Sequence, residues 1–269
     1  MERKTIRSLQ NPRIRAVRRL HKRRERDRHG LMLIEGGREL SIALACGLQV
    51  EEVLLCPELV ANDDERRLID ELKSKDITIC EISSRVLGKM VYREGSSCCM
   101  AVARQPSRTM EELPSHDNPF YMVVDSVEKP GNLGALFRSA DASGVTGLIL
   151  SDPGTDLFNP NVIRSSIGTV FSVRAAVTDP QSAISWLRRR NIGIMVSTPS
   201  QGILYTETNF TSPCAVVVGS EDRGASAAWF NASNENIYIP MRGNADSLNV
   251  SAAATVIMYE ALRQRSAVG

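Results

Sequence analysis

The sequence predicts an α/β protein in two parts, the larger of them built on a parallel sheet. Three observations predict it. Short apolar runs alternate with amphipathic or capped helical segments along most of the 269 residues, the pattern of strand-helix-strand units. The run Phe120–Asp125 is apolar without alternation, as a strand covered on both faces must be. Between the two parts the composition turns polar and proline-rich, with Pro106, Pro114 and Pro119 within a few residues of one another.

In chain order, residues 1–29 hold twelve Lys/Arg against three acids, so this segment carries nine net positive charges while the whole chain carries only +2. It reads as a basic N-terminal arm that neutralises backbone phosphates, with a solvated basic helix as the plainer alternative. Arginine outnumbers lysine there, and a planar guanidinium grips phosphate with two donors, which favours RNA. Leu31–Glu35 follows as a strand. Gly36 and Gly37 turn into a helix over 38–46 closed by Gly47, and Val50–Cys56 is a second strand stopped by Pro57. A charged helix over 63–75, a strand over 77–82, a short helix over 84–90 and an apolar strand over 97–103 complete a small α/β domain, residues 30–104. Residues 105–118 read as a linker.

The second domain, 119–269, opens with Phe120–Asp125. A loop ending in Pro130-Gly131-Asn132 feeds a helix over 133–143, capped by Gly144, and a strand over 147–150 follows. Helical pieces over 161–169 and 180–190 separate strands over 171–176, 192–197, 214–219 and 236–239. The closing helix, 247–263, is apolar nearly all round between Val250 and Met258 and should be buried, against the sheet or a second subunit. No internal repeat is visible.

Composition excludes several classes. With 42% apolar and 24% charged residues the chain is not disordered. No apolar run approaches the ~20 residues of a membrane helix and the N-terminus lacks a signal-peptide core, so a soluble, cytoplasmic protein is expected. The six cysteines form no C-x-x-C pair, and the vicinal Cys98 and Cys99 sit in an apolar run as core residues. His21, His29 and His116 have no metal-ligand spacing, so no metal is expected.

Ligands of open parallel sheets bind outside the carboxyl ends of the strands. Four loops qualify: 126–138, 197–201, 219–224 and 239–249. The first is neither a Walker loop nor a dinucleotide fingerprint. The fourth runs into a helix N-terminus whose free N–H groups favour an anion, with Asp246 or Ser247 as the expected cap.

Taken in order, these segments resemble the SpoU/TrmH family of RNA ribose 2′-O-methyltransferases, of the SPOUT class. Asn132-x-Gly134-x-x-x-Arg138 looks like its first motif, Gly219-Ser-Glu221-x-x-Gly224 like the second, and Ile239-Pro-Met-x-Gly243 with Ser247-Leu-Asn-Val-Ser251 like the third. The match spans roughly residues 118–265. The first domain is similar to the ribosomal-protein-like RNA-binding domain that precedes the catalytic domain in many members, chiefly through Ile34–Glu39.

The resemblance implies a C-terminal trefoil knot, which spacing alone would never suggest, and a homodimer. It implies S-adenosylmethionine held by backbone near Thr198, Gly219, Ile239, Met241 and Leu248. It implies Arg138 as the catalytic residue, reaching across the dimer, with Asn132, Glu221, Ser247 and Asn249 shaping the pocket. A free guanidinium, with a pKa above ~12, is a poor base, so Arg138 either accepts the hydroxyl proton in a buried cationic site or clamps the neighbouring phosphate. Ribosomal RNA is the expected substrate, because the extra domain resembles the ribosomal branch of the family; transfer RNA is the alternative. Arg13, Arg15, Arg18, Arg19, Arg23, Arg24 and Arg38 are the expected RNA contacts. Two other readings stay open: an idle knotted RNA-binding dimer, and methylation of a base nitrogen assisted by Asp125 or Glu221.

Overall fold

The structure, a computed structural model, describes residues 5–91, 97–199 and 201–267. Arg3 and Lys4 of the basic segment and Ser200 of the 197–201 loop lie outside the described residues. The chain forms two compact units, Met1–Pro106 with Asp156–Ser172, and Ser107–Thr155 with Val173–Gly269.

The first unit begins with two helices, α1 (Pro12–Arg19) and α2 (Arg23–His29). Asn11 caps α1 by accepting the Arg13 N–H, and Pro12 occupies the first turn, where no donor is lost. Ile14, Val17 and Leu20 recur at helical spacing and are buried, whereas Arg15, Arg18 and Arg19 between them are exposed. The basic segment is therefore no arm. Arg26 is also buried, its guanidinium donating to the Leu20 and His21 carbonyls at 2.8 Å each and to Asp156 Oδ2 at 2.5 Å. Strand β1 (Leu31–Glu35), helix α3 (Gly37–Ala45), β2 (Val50–Leu55), α4 (Asp63–Ser74), β3 (Thr78–Glu81), α5 (Ser84–Gly88) and β4 (Cys99–Arg104) follow. They build a four-stranded sheet in the order β1-β4-β2-β3, with β4 antiparallel to both neighbours and β2 parallel to β3.

The second unit starts with Met110 and Leu113, which pack into its core; residues 105–118 are thus more than a free linker. Then come β5 (Phe120–Asp125), α6 (Pro130–Ser143) and β6 (Gly147–Ser151). Helices α7 (Pro160–Ser165) and α8 (Thr169–Ser172) belong to the first unit, a correction to the single boundary read from the sequence. The Arg26–Asp156 bond holds that excursion at its start. Near its end the backbone of Gly168 lies so close to Glu39 and Ile42 of α3 that an added Cβ would sit 3.2 Å from each. Ile167 and Gly168 both take left-handed backbone angles, φ 55° and 83°, which break the helix expected over 161–169.

The chain returns through β7 (Ala175–Thr178), α9 (Pro180–Arg189), β8 (Gly193–Thr198), β9 (Ile203–Leu204), β10 (Cys214–Val218), α10 (Ala227–Ala232), β11 (Glu235–Tyr238) and α11 (Val250–Ser266). Phe171 lies in α8, so the strand expected from 171 begins four residues later. Seven strands form one wholly parallel sheet in the order β7-β6-β5-β10-β8-β11-β9. Because all strands are parallel, the loops after β5, β8, β10 and β11 emerge at one edge of this sheet, and the order β5-β10-β8-β11 makes them neighbours. Helix α11 packs on α6, with Ser139 and Thr255 hydroxyls 2.6 Å apart. Its far end is tied down by Arg265, which donates to the carbonyls of Asn118 at 2.7 Å and Ser212 at 2.8 Å. Within α11, Ala254, Ile257, Met258 and Ala261 are buried, whereas Tyr259 and Leu262 are exposed. Among the described residues no helix is long and apolar enough to cross a membrane.

Candidate active site

Three loops meet at the carboxyl edge of the parallel sheet, and each is shaped by local chemistry. Helix α6 starts at Pro130, three residues earlier than expected, which places Asn132 in its first turn. After β10 the chain reverses so tightly that a Cβ on Gly219 would lie 1.9 Å from the Ala225 nitrogen. Ser220 and Gly224 exchange two backbone hydrogen bonds, 3.1 and 2.9 Å, with Gly224 at φ 68°. This turn presents Glu221 at its tip. The third loop ends on α11, whose cap is Asn249 and not Asp246 or Ser247: Asn249 Oδ1 accepts the Ser251 N–H at 3.0 Å and the Ser251 hydroxyl at 2.7 Å.

Glu221 joins the three loops. Its Oε1 accepts from the Asn132 amide and, at 3.0 Å, from Asn249 Nδ2, which also reaches Asn132 Oδ1 at 3.2 Å. Its Oε2 pairs with Lys129 Nζ. The hydrogen bond and charge of Glu221 raise Lys129 above the ordinary lysine value. Lys129 escaped the sequence reading, although it directly precedes the Pro130-Gly131-Asn132 signal and so had to lie beside the same site.

A cavity of about 380 Å³ opens on one side of the Glu221 turn, within the size range of small-molecule sites. Thr198, Gly219, Ile239, Met241 and Leu248 all line it, as does Ser247. Sequence reading missed Val218, Pro199 and Phe230 in the same wall, since apolar lining has no signature of its own. The Thr198 hydroxyl is spent on the turn below it, donating to the Gln201 carbonyl and accepting the Gln201 N–H at 3.1 Å. Residues 241–248 make no backbone–backbone hydrogen bond among the described residues, so their N–H and C=O groups remain open to a ligand. Apolar walls, one open backbone strip and a carboxylate at the rim suit a flat heteroaromatic ring joined to a cationic chain, as in S-adenosylmethionine. A second cavity of about 370 Å³ lies on the other side of the turn, lined by Asp125, Glu128, Lys129, Asn132 and the Glu221 loop.

Arg138 stands apart. It is exposed on α6 and lines neither cavity of its own protomer. In the first unit Arg13, Arg15, Arg18, Arg19, Arg23, Arg24 and Arg38 are all exposed; Arg13 also pairs with Glu52 at 2.5 Å and Arg23 with Asp27 at 3.4 Å. No cluster of three His, Cys, Asp or Glu side chains that could hold a metal occurs among the described residues.

Known proteins match both units. Residues 11–101 match the MRM3-like substrate binding domain. Over 252 residues the chain is 32% identical to the 23S rRNA (uridine(2479)-2′-O)-methyltransferase of Streptomyces viridochromogenes, covering 91% of this chain and 87% of that protein. The crystal structure of an RNA 2′-O ribose methyltransferase superposes with a TM-score of 0.87 at 40% identity, covering 98% of this chain and all of the other. The AviRb methyltransferase of the same Streptomyces, in complex with S-adenosylmethionine, superposes with a TM-score of 0.85 at 30% identity over 96% of this chain and 100% of that one. Residues 119–259, more than half of the sequence, match the SpoU rRNA methylase family, and with the three motifs joined through Glu221 the chain belongs to that family.

Proposed function

We propose that this protein transfers a methyl group from S-adenosylmethionine to a ribose 2′-hydroxyl of ribosomal RNA, working in the cytoplasm as a homodimer with a knotted C-terminal segment. One observation carries the reading. The residues expected to hold the cofactor line one cavity, and its rim is the turn that binds Asn132 and Asn249 to Glu221. S-adenosylmethionine supplies an electrophilic methyl on a sulfonium. The chain's own residues do the rest. Gly219, Ile239, Met241 and Leu248 offer backbone and apolar surface to the adenosine and methionine portions, and Ser247 stands where the open strip approaches the rim. Glu221 fixes the Asn132 and Asn249 amides with its oxygens already occupied, so it orders the site rather than accepting a proton.

The exposure of Arg138 favours the clamp over the base: a planar guanidinium gripping the phosphate beside the target ribose in the partner's site, while the O–CH3 bond forms as the S–CH3 bond breaks and the hydroxyl proton leaves to solvent water. Dimerisation is supported by the exposed Leu248, Tyr259 and Leu262, which leave part of α11 and its approach apolar and uncovered. The first unit, matching a substrate binding domain, brings Arg15, Arg18, Arg19, Arg24 and Arg38 to the RNA backbone, and this second unit-sized element favours a large folded RNA.

The test is transfer of labelled methyl to separated unmodified ribosomal and transfer RNAs, followed by nuclease digestion. Label is expected in a 2′-O-methyl nucleotide of ribosomal RNA. Label in transfer RNA alone overturns the substrate, label on a base overturns the acceptor, and cofactor binding without transfer to any RNA overturns the enzyme.

A further inference from the structure

One carboxylate beside the site is used by none of the steps above. Asp125, the last residue of β5, is 1% exposed, although it lines the second cavity. Both its oxygens are engaged. Oδ1 accepts the Ser151 hydroxyl at 2.9 Å from the end of β6, and Oδ2 accepts the backbone N–H of Ser226 at 2.7 Å. Ser151 Oγ in turn accepts the indole N–H of Trp229 at 3.3 Å, and Trp229 is wholly buried on α10. Ser226 is the N-cap of α10 and lies two residues after the turn closed by Ser220 and Gly224. One carboxylate thus ties two strand ends to the exit of the loop that carries Glu221.

We propose that Asp125 is a positioning residue for the methyl-transfer site, setting the Glu221 turn through Ser226. The turn is also held at its neck by the Ser220–Gly224 pair, inside by the Arg223 N–H on Ser220 Oγ at 3.3 Å, at its exit by the buried Ala225, and at its tip by side chains of the site itself. Its exit continues into a six-residue helix that donates no side-chain cap of its own. A buried carboxylate bonding that exit fixes where the tip stands, and the tip fixes Asn132 and Asn249. A displacement of about 1 Å in a reacting geometry costs on the order of 100-fold in rate, whereas binding contacts elsewhere are untouched. The same geometry withdraws Asp125 as an acid or base for a nitrogen acceptor, because neither oxygen is free to face one.

The inference rests on the proposed activity only for its kinetic readout. Labelled-methyl transfer by the wild-type protein comes first: no transfer there sinks the activity, not this proposal. Asp125→Ala is then expected to lower kcat about 100-fold per S-adenosylhomocysteine-binding site, with KM for RNA within about threefold. Asp125→Asn can still accept the Ser226 N–H through Oδ1 and donate to Ser151 through Nδ2, so it should recover most of that loss. A kcat for Asp125→Ala within about threefold of wild type overturns the proposal. So does an Asn variant as impaired as the Ala variant, which would point to charge or proton transfer. Hydrogen exchange on the wild-type protein supplies a reading independent of activity and of any variant's folding. The Ser226 amide should exchange slowly, unlike residues 241–248; exchange as fast as in that open strip overturns the assignment.

Discussion

Arg138 is the residue whose chemistry depends most on its surroundings. If it acts as a planar two-donor clamp, lysine keeps the charge but not the fork. Arg138→Lys is expected to lose more than about 100-fold in kcat while RNA affinity changes little. Near-normal turnover would remove any guanidinium-specific role. His21 makes a different prediction. Burial, with Arg26 and Arg18 nearby, pushes its pKa below the ordinary histidine value against a smaller opposing effect, the hydrogen bond that the ring donates to the Met90 carbonyl. The unfolded chain then binds a proton that the folded one resists, so stability holds above about pH 6.5 and falls as the pH drops through that region. Urea midpoints should decline between neutral and mildly acidic pH, and His21→Gln should flatten that decline. An unchanged slope in the variant would assign the acid sensitivity elsewhere.

At the scale of elements, α1 shows why the basic segment has to be tested with point changes. Ile14, Val17 and Leu20 belong to the core of the first unit, so removing residues 1–29 would unfold what it was meant to probe. Ile14→Ala is expected to cost about 2–4 kcal/mol of that unit's stability, measured by chemical denaturation. Replacing Arg15, Arg18 and Arg19 together by Gln should leave stability nearly unchanged but weaken RNA binding. The slope of log affinity against log salt should also fall by roughly one for each phosphate no longer neutralised. Equal slopes for both proteins would move the RNA-binding surface off this helix.

Across the whole molecule, the proposed dimer requires that Arg138, which lines neither cavity of its own protomer, completes the partner's site. Mixed dimers can test it. Arg138→Ala and Glu221→Ala subunits, each inactive alone, should recover about a quarter of wild-type activity when unfolded and refolded together. Random pairing gives half mixed dimers, each with one intact composite site. No recovery would mean that Arg138 serves its own protomer or none. Tyr259→Glu with Leu262→Asp, on the exposed apolar part of α11, should shift the protein to monomer in sedimentation and abolish transfer.

Most elements were legible because their signals are local. Periodicity gave most of the strands, Gly144 and Gly47 marked helix ends, and the order of three motifs named the family. The site was legible for the same reason: Asn132, Glu221 and Asn249 lie in loops whose spacing is a property of the chain. What failed was decided by partners far away in sequence. The basic segment looked like an arm because its three buried apolar residues are outnumbered by arginines, and only the packed core shows which face turns inward. Residues 156–172 looked like part of the second domain until Asp156 met Arg26, 130 residues earlier. Asp125 reads from the sequence as the end of an apolar strand and a candidate acid or base, since no local pattern announces that its oxygens will find Ser151 and Ser226. The sequence by itself determined most of the strands and helices and the chemistry of the three loops, encoded within a few residues of chain, though not β9, α10 or the break at Ile167 and Gly168. Only the tertiary structure decided which carboxylates are already satisfied, which arginine is buried and which helix face stays open, because burial and hydrogen-bond partnership are properties of neighbours in space.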